Sequence, residues 1–407
     1  MTTDTEFDGE STLILSPDEL EKGMFVSYLD RPSEETALPA HGFRIETEAE
    51  LERLRDNCEF VFVNPRQDQT HDYGAFYSQR KSKAGARKKP GPAASPPARN
   101  RLHTEKEFPA ARQVHSALRD AVIGTYAGVS TGRCPNMKTL ERAAEQVIDS
   151  IRRNPDALLY IVRTQTDGDY LFRHGVACAV MLCALGDSMG MPRHTLKAVT
   201  LGGALLDVGK TRVPRELLNR PTALEFSATE TEKLRDHIQL GAEVIADFSS
   251  EGSRVVTMIR THHERFNGKG YPRRLKGDSI PQIGQMAGLV DMFDAMVSER
   301  SYGRRATPYE AMRYLKAQRG ELFGSSLIDA FINAFGTYPT GTLVELSTGE
   351  VGFVIQQNPG SRLQPRVYLV LDRSKQRLGE FKVIDLSEHK QVCVDRSLKA
   401  GSYGIDY

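Results

Sequence analysis

The sequence predicts a mainly α protein: an all-helical core, a small N-terminal α+β domain and a short β-rich C-terminal tail. Three observations point there. Apolar residues recur every three to four positions through residues 105–335, the spacing of amphipathic helices. After Gly336 the pattern changes to alternation of apolar and polar residues, with Gly, Pro and Ser at the turns. Between Tyr73 and Thr104 the composition shifts to Pro, Ala, Gly and basic residues, which separates a short N-terminal block from the helical region.

Taken in order, residues 1–79 form the predicted α+β regulatory domain. Leu13–Leu15, Met24–Tyr28 and Phe60–Val63 read as strands and Glu48–Asn57 as a helix. Ser16-Pro17-Asp18-Glu19 reads as a helix start, with Ser as cap and Pro in the first helical position. The block has no cluster of His, Cys or paired carboxylates, so binding or regulation is expected of it rather than chemistry. Residues 80–104, containing KKPGPAASPPAR, bury too little apolar surface to order themselves and read as a flexible basic linker. In the helical domain, 105–335, three runs carry the clearest periodicity. They are Leu140, Ala143, Val147 and Ile151; then Leu196, Val199, Leu201 and Leu205; then Ile283, Met286, Val290, Phe293 and Val297. The tail, 336–407, carries strand patterns in TLVELSTGEVGFVIQQ and RVYLVLD.

The 407 residues carry 54 Lys and Arg against 53 Asp and Glu, a net charge of +1 that excludes a uniformly basic nucleic-acid coat. That balance is a cancellation. The stretch from Tyr73 to Thr104 has eight basic residues and no acidic one, so the remainder of the chain is acidic. A solvated linker is the reading favoured for it, and nucleic acid is not expected as a partner. The five cysteines form no CxxC pair, which suits a reducing cytoplasm. The opening MTTDTEFDGE is acidic and lacks the apolar segment of a secretory signal. The most apolar run, Val176 to Gly186, is too short to span a bilayer, so no membrane insertion is expected.

The chemistry concentrates in the helical region. His262-His263-Glu264 places two imidazoles side by side ahead of the Gly-rich RFNGKGYP. Neighbouring histidines on one helix diverge by about 100°, so they are either a surface pair or ligands at a helix end or in a dinuclear cluster. Asp207 ends an apolar stretch just before Gly209 and Lys210, and Asp291 and Asp294 sit one turn apart in another. A carboxylate in such surroundings is costly unless paired, hydrogen-bonded or metal-bound. His174 and His237 fall inside helical patterns. Mixed His and Asp donors on rigid helices suit a divalent ion such as Fe, Mn, Zn or Ni. Cys178 and Cys183 read as core residues.

The ordered series His174, Asp207-x-x-Lys210, His237, His262-His263, Gly270-Tyr271-Pro272 and Asp291 resembles the HD-GYP family of HD phosphohydrolases. The resemblance runs across about 160–335 and includes LLDVGKTRVPRELLNRP, HHERFNGKGYPRRLKGDSIP and DMFDAMVSERSYGRRAT. LSPDELEKGMFVSYLD is similar to the small domain of unknown function that often precedes HD-GYP domains.

The resemblance implies an all-helical domain that holds two divalent metal ions, often iron or manganese. It implies hydrolysis of cyclic-di-GMP to the linear dinucleotide pGpG or to GMP in bacterial signalling, and possible docking of a diguanylate cyclase on the Gly270-Tyr271-Pro272 surface. Carried over by position, His237, His262 and His263 hold one metal, His174 and Asp291 the other, and Asp207 bridges both. Lys210 stabilises the charged transition state. Arg300 grips a phosphate or guanine edge through its planar fork.

Two positions depart from the family pattern. Leu206 stands where the HD motif has its histidine, and Leu cannot coordinate a metal. Gly303 stands where a basic residue is usual, with Arg304 adjacent as a substitute. The expected function is therefore a metal-dependent cyclic-di-GMP phosphodiesterase. The alternative is a catalytically weakened or inactive cyclic-di-GMP receptor or scaffold of the same fold, with one metal site weak or empty.

Overall fold

The computed structural model describes residues 13–15, 20–29, 43–57, 61–63, 103–133, 137–165, 168–218, 227–246, 252–298, 306–358, 361–389 and 391–405. Contacts divide the chain into two units, Met1–Ser95 and Pro96–Tyr407. The expected helix start at Ser16–Glu19 and the linker from residue 80 to 102 lie outside the described residues.

The first unit contains β1 (Leu13–Leu15), β2 (Phe25–Leu29), β3 (Phe43–Arg44), α1 (Glu48–Asn57) and β4 (Val61–Val63). The strands make an antiparallel sheet in the order β1-β4-β2-β3. At the start of α1, Thr47 Oγ1 accepts the Glu50 N–H, and the Glu50 carboxylate accepts the Thr47 N–H at 2.9 Å, a reciprocal capping pair. Leu51 and Leu54 of α1 close the core over Met24, Val26, Ile45, Val61 and Val63. β3 carries only two residues and left no alternation to read in the sequence.

The second unit begins with α2 (Thr104–Ser130), so Thr104 belongs to a helix rather than to the linker that was expected to include it. There follow α3 (Met137–Arg153), α4 (Pro155–Thr164), α5 (Tyr170–Ser188) and α6 (Arg193–Leu205). A 3-10 turn at Val208–Arg212 leads to α7 (Arg215–Leu218), α8 (Ala228–Arg235), α9 (His237–Ala246) and α10 (Gly252–Thr261). The helices end with α11 (Gln282–Val297), α12 (Pro308–Ala317) and α13 (Ser325–Phe335). The three periodic runs of the sequence fall on α3, α6 and α11.

The central element is α5, around which α2, α3, α4, α6, α11 and α13 pack. It is apolar nearly all round, as a helix buried on every side must be. Its 19 residues make it long and apolar enough to cross a membrane, more than the eleven-residue run in the sequence suggested. In this fold it is instead a core helix, with 78% of its apolar window buried inside the protein.

The tail forms β5 (Leu343–Leu346), β6 (Val351–Gln356), β7 (Arg366–Leu371), β8 (Arg377–Asp385) and β9 (Val394–Ser397). They build one antiparallel sheet in the order β8-β7-β6-β5-β9. β8 is an exposed edge strand without a clean apolar face, which is why its sequence gave no strand signal. Phe353 of β6 meets the edge of Tyr160 on α4 with ring centroids 6.4 Å apart. The sheet therefore belongs to the same compact unit as the helices.

Candidate metal centre

Six side chains from five segments converge beside α5. His174 comes from the second turn of α5 and Asp291 from the middle of α11. Asp207 follows the end of α6, and His237 opens α9. His262 and His263 sit in the turn just beyond α10, where the helix has ended and adjacent imidazoles need no longer diverge. Ligand atoms of Asp207, His237, His262 and His263 lie within 4.8 Å of one another, and so do those of His174, Asp207 and Asp291. Asp207 is common to both sets.

Close backbone approaches make this convergence possible. A Cβ on Gly209 would sit 1.9 Å from the His237 carbonyl oxygen, so only glycine lets the 3-10 turn carrying Asp207 press against α9. A Cβ on Gly270 would sit 2.3 Å from the Arg265 nitrogen and 2.5 Å from the His263 oxygen. The Tyr271 N–H donates to that His263 carbonyl at 3.1 Å. Glu264, almost fully buried, accepts N–H bonds from Arg273 at 2.7 Å and Leu275 at 2.9 Å. The Gly270-Tyr271-Pro272 loop is thus tied beneath the two histidines, and Tyr271 stacks on His263 with centroids 4.7 Å apart.

The hydrogen bonds fix which nitrogen of each ring faces the cluster. His237 Nδ1 lies 2.6 Å from the Leu234 oxygen and His262 Nδ1 lies 2.8 Å from the Ile259 oxygen. A carbonyl only accepts, so both Nδ1 atoms carry the proton and both Nε2 atoms present lone pairs. Those two Nε2 atoms and Asp207 Oδ1 are buried without a hydrogen-bond partner. A buried polar atom left so costs about 1–3 kcal/mol. Three in one place, all acceptors, fit a cation.

The second set is knit together by His174. Its Nε2 lies 3.0 Å from Asp291 Oδ1 and 3.7 Å from Asp207 Oδ2, while its Nδ1 lies 2.7 Å from Asp294 Oδ2. Lys210 Nζ donates to Asp207 Oδ2 at 2.5 Å and keeps about a quarter of its side chain exposed.

For five of the six residues electrostatics favour the protonation states a metal needs. His174 is instead held well above its ordinary value, the effect of burial being outweighed by Cys178, Tyr170 and the bonds to Asp291 and Asp294, so an ion there has to displace a proton. Burial pushes His237 down to about 4 and lowers His262 and His263. Burial would raise Asp207, but Lys210 and the neighbouring histidines hold it well below the usual carboxylate range. Burial likewise opposes ionisation of Asp291, and the hydrogen bond with His174 together with the charges of His263, His174 and His262 outweighs it. Cys178, 3.6 Å from His174 Nε2, is pushed up to about 12 by burial and stays a thiol, in keeping with a core residue.

Leu206 is buried and joins the apolar core of the helices, so among the described residues no imidazole occupies its place. Arg300, Gly303 and Arg304 lie outside the described residues. The sequence marked Asp294 as a carboxylate in need of a partner without naming one, and gave no role to Glu264 or Arg163. A signal for Arg163 was present, a lone charge behind the apolar run LLYIV.

The helical fold and its paired His/Asp clusters define a candidate metal-binding domain of the phosphohydrolase type. Residues 162–327 match the HD domain, residues 14–140 a domain of unknown function (DUF3391), and residues 343–404 a KOW domain associated with the HD domain. The tail thus has a family match that its sequence had not disclosed. The chain is 30% identical over 380 residues to a cyclic di-GMP phosphodiesterase of Pseudomonas aeruginosa, covering 92% of this chain and 88% of that protein. It is 30% identical over 171 residues to a 3'3'-cGAMP-specific phosphodiesterase of Vibrio cholerae, covering 42% of this chain and 32% of that one. A solved structure of an HDGYP protein from Bdellovibrio bacteriovorus aligns with a TM-score of 0.45 at 17% identity, over 79% of this chain and 98% of that one. The chain belongs to the HD-GYP family of HD-domain proteins.

Proposed function

We propose that this protein is a metal-dependent phosphodiesterase that hydrolyses cyclic-di-GMP to pGpG or GMP. The observation that carries the reading is the convergence of His237 Nε2, His262 Nε2 and Asp207 Oδ1, three buried acceptors with no hydrogen-bond partner. His237, His262 and His263 would hold one divalent ion and His174 and Asp291 a second, with Asp207 belonging to both sets; Fe or Mn would suit these donors. Such ions supply Lewis acidity toward a phosphate oxygen and lower the pKa of water toward neutrality.

The protein's own groups do the rest. Lys210, anchored by Asp207 and partly exposed, offers a fixed positive charge to the phosphate as negative charge builds on it. Tyr271 covers the His263 ring and walls that side of the cluster against water. Arg300 and Arg304 are assigned to the phosphates or guanine edges of the substrate. Because the chain is acidic outside its basic linker, the positive charge that attracts an anionic dinucleotide has to be local. The exposed Pro272 edge of the Gly270-Tyr271-Pro272 loop is assigned to a diguanylate cyclase, which a binding assay with the purified cyclase tests.

Full-length protein supplied with Mn or Fe(II) should convert cyclic-di-GMP to linear product, followed by chromatography. Running 3'3'-cGAMP in parallel reads the substrate preference. An unchanged cyclic-di-GMP peak overturns the proposal. The buried Leu206 favours a second reading, a receptor of the same fold that binds cyclic-di-GMP without turnover. Binding without hydrolysis by the metal-loaded protein selects it.

A further inference from the structure

We infer that Asp294 and Arg163 are positioning residues for the ligand His174. Asp294 holds the Nδ1 edge of the ring and Arg163 fixes Asp294, so that Nε2 faces Asp207 and Asp291. The inference rests on the proposed metal site and assigns these two residues their part in it.

The geometry is a buried relay. His174 Nδ1 to Asp294 Oδ2 is 2.7 Å, and Arg163 Nη1 donates to Asp294 Oδ1 at 2.7 Å. The Arg163 side chain is 8% exposed and that of Asp294 1%. A carboxylate on the far nitrogen of a ligating histidine fixes the ring's orientation and raises its basicity. Buried alone, such a carboxylate would be costly, and Arg163 supplies the compensating charge.

Arg163 is itself held from outside the helices around the cluster. It lies in the last turn of α4, and the backbone of Gly341 passes so near that a Cβ there would come 2.7 Å from Arg163 Cβ. Gly341 has φ +90°, so a side chain at that position would also be strained. At the other end of α4, Thr340 Oγ1 donates to Asp156 Oδ1 at 2.8 Å. The segment leading into β5 therefore seats both ends of α4, and with it the arginine that orients a ligand on α5.

The test uses full-length protein, with Mn(II) binding followed by calorimetry and metal content by elemental analysis. The variants are Arg163→Gln, Arg163→Lys and Asp294→Asn. Arg163→Gln and Asp294→Asn are expected to weaken one class of Mn(II) site by about 10- to 100-fold and leave the other in place. Arg163→Lys, which keeps the charge but not the fork, should restore part of that loss. A merely structural role would lower the melting temperature of the metal-free protein without this selective loss or this rescue. If Arg163→Gln does not fold, the other two variants carry the test.

Wild-type affinity at every site in Asp294→Asn and in a folded Arg163 variant overturns the inference. Absence of Mn(II) binding by the wild type overturns it together with the metal reading. Metal-loaded wild type that leaves cyclic dinucleotides intact, with the selective loss still seen in the variants, overturns the proposed hydrolysis alone.

Discussion

His237 and His262 stand edge to face with ring centroids 5.7 Å apart, and each donates its Nδ1–H to a carbonyl three residues back. Two rings locked in this way by separate helices cannot turn their Nε2 lone pairs toward the backbone. The pair is preorganised for a shared electrophile and is left unsatisfied without one.

The first prediction follows from that pair. A divalent ion that binds only the folded state stabilises it by about 2.7 kcal/mol at a hundred times its Kd. Mn(II) should therefore raise the melting temperature of the wild type, and His262→Ala should abolish most of the rise. Scanning calorimetry with and without Mn(II) reads this directly. An equal shift in both proteins would place the ion elsewhere.

Lys210 bonds Asp207 rather than the imidazoles, so its removal should affect turnover more than loading. Lys210→Met is expected to lower kcat by roughly 100- to 1000-fold, the scale of losing one transition-state donor, with metal content preserved. Steady-state kinetics beside metal analysis separates the two effects.

Leu206→His tests the departure from the family motif. The new imidazole enters an apolar core position, so the metal-free protein should lose on the order of 1–3 kcal/mol. If the missing ligand limits the second site, metal content and turnover rise together. An unchanged rate with full loading would show that the leucine is tolerated.

Acid sensitivity has a component remote from the cluster. Burial, assisted by Arg119, pushes His115 on α2 down to about 4 from an ordinary value of 6.5. Between those values the unfolded chain binds a proton that the folded chain refuses. Stability is therefore complete above about 6.5 and is lost as pH falls toward about 4, by on the order of 3 kcal/mol from this group. His115→Gln should flatten that part of the pH–stability curve measured by urea denaturation at each pH.

The sequence disclosed the clustered side chains better than their supports. His174, Asp207, His237, His262, His263 and Asp291 were each legible because their residue types recur in an ordered family series, and the structure gathers all six. The helices α3, α6 and α11 were legible because burial on one face leaves a 3.6-residue period. Arg163 was visible only as a lone charge after an apolar run, and its role was not legible. Its partner Asp294 lies on another helix, and only the packing of α4 against α5 and α11 reveals that an arginine after an apolar run is paired. β8 was hidden for the opposite reason, since an exposed edge strand need not alternate.

The most direct test of the central claim is metal quantification and cyclic-di-GMP hydrolysis on one sample of full-length protein, with His262→Ala prepared alongside. Close to two divalent ions per wild-type chain are expected, with conversion of the cyclic dinucleotide, and loss of both metal and turnover in the variant. Wild-type protein that carries no metal, or that carries two ions per chain and leaves cyclic-di-GMP unchanged, would contradict that claim.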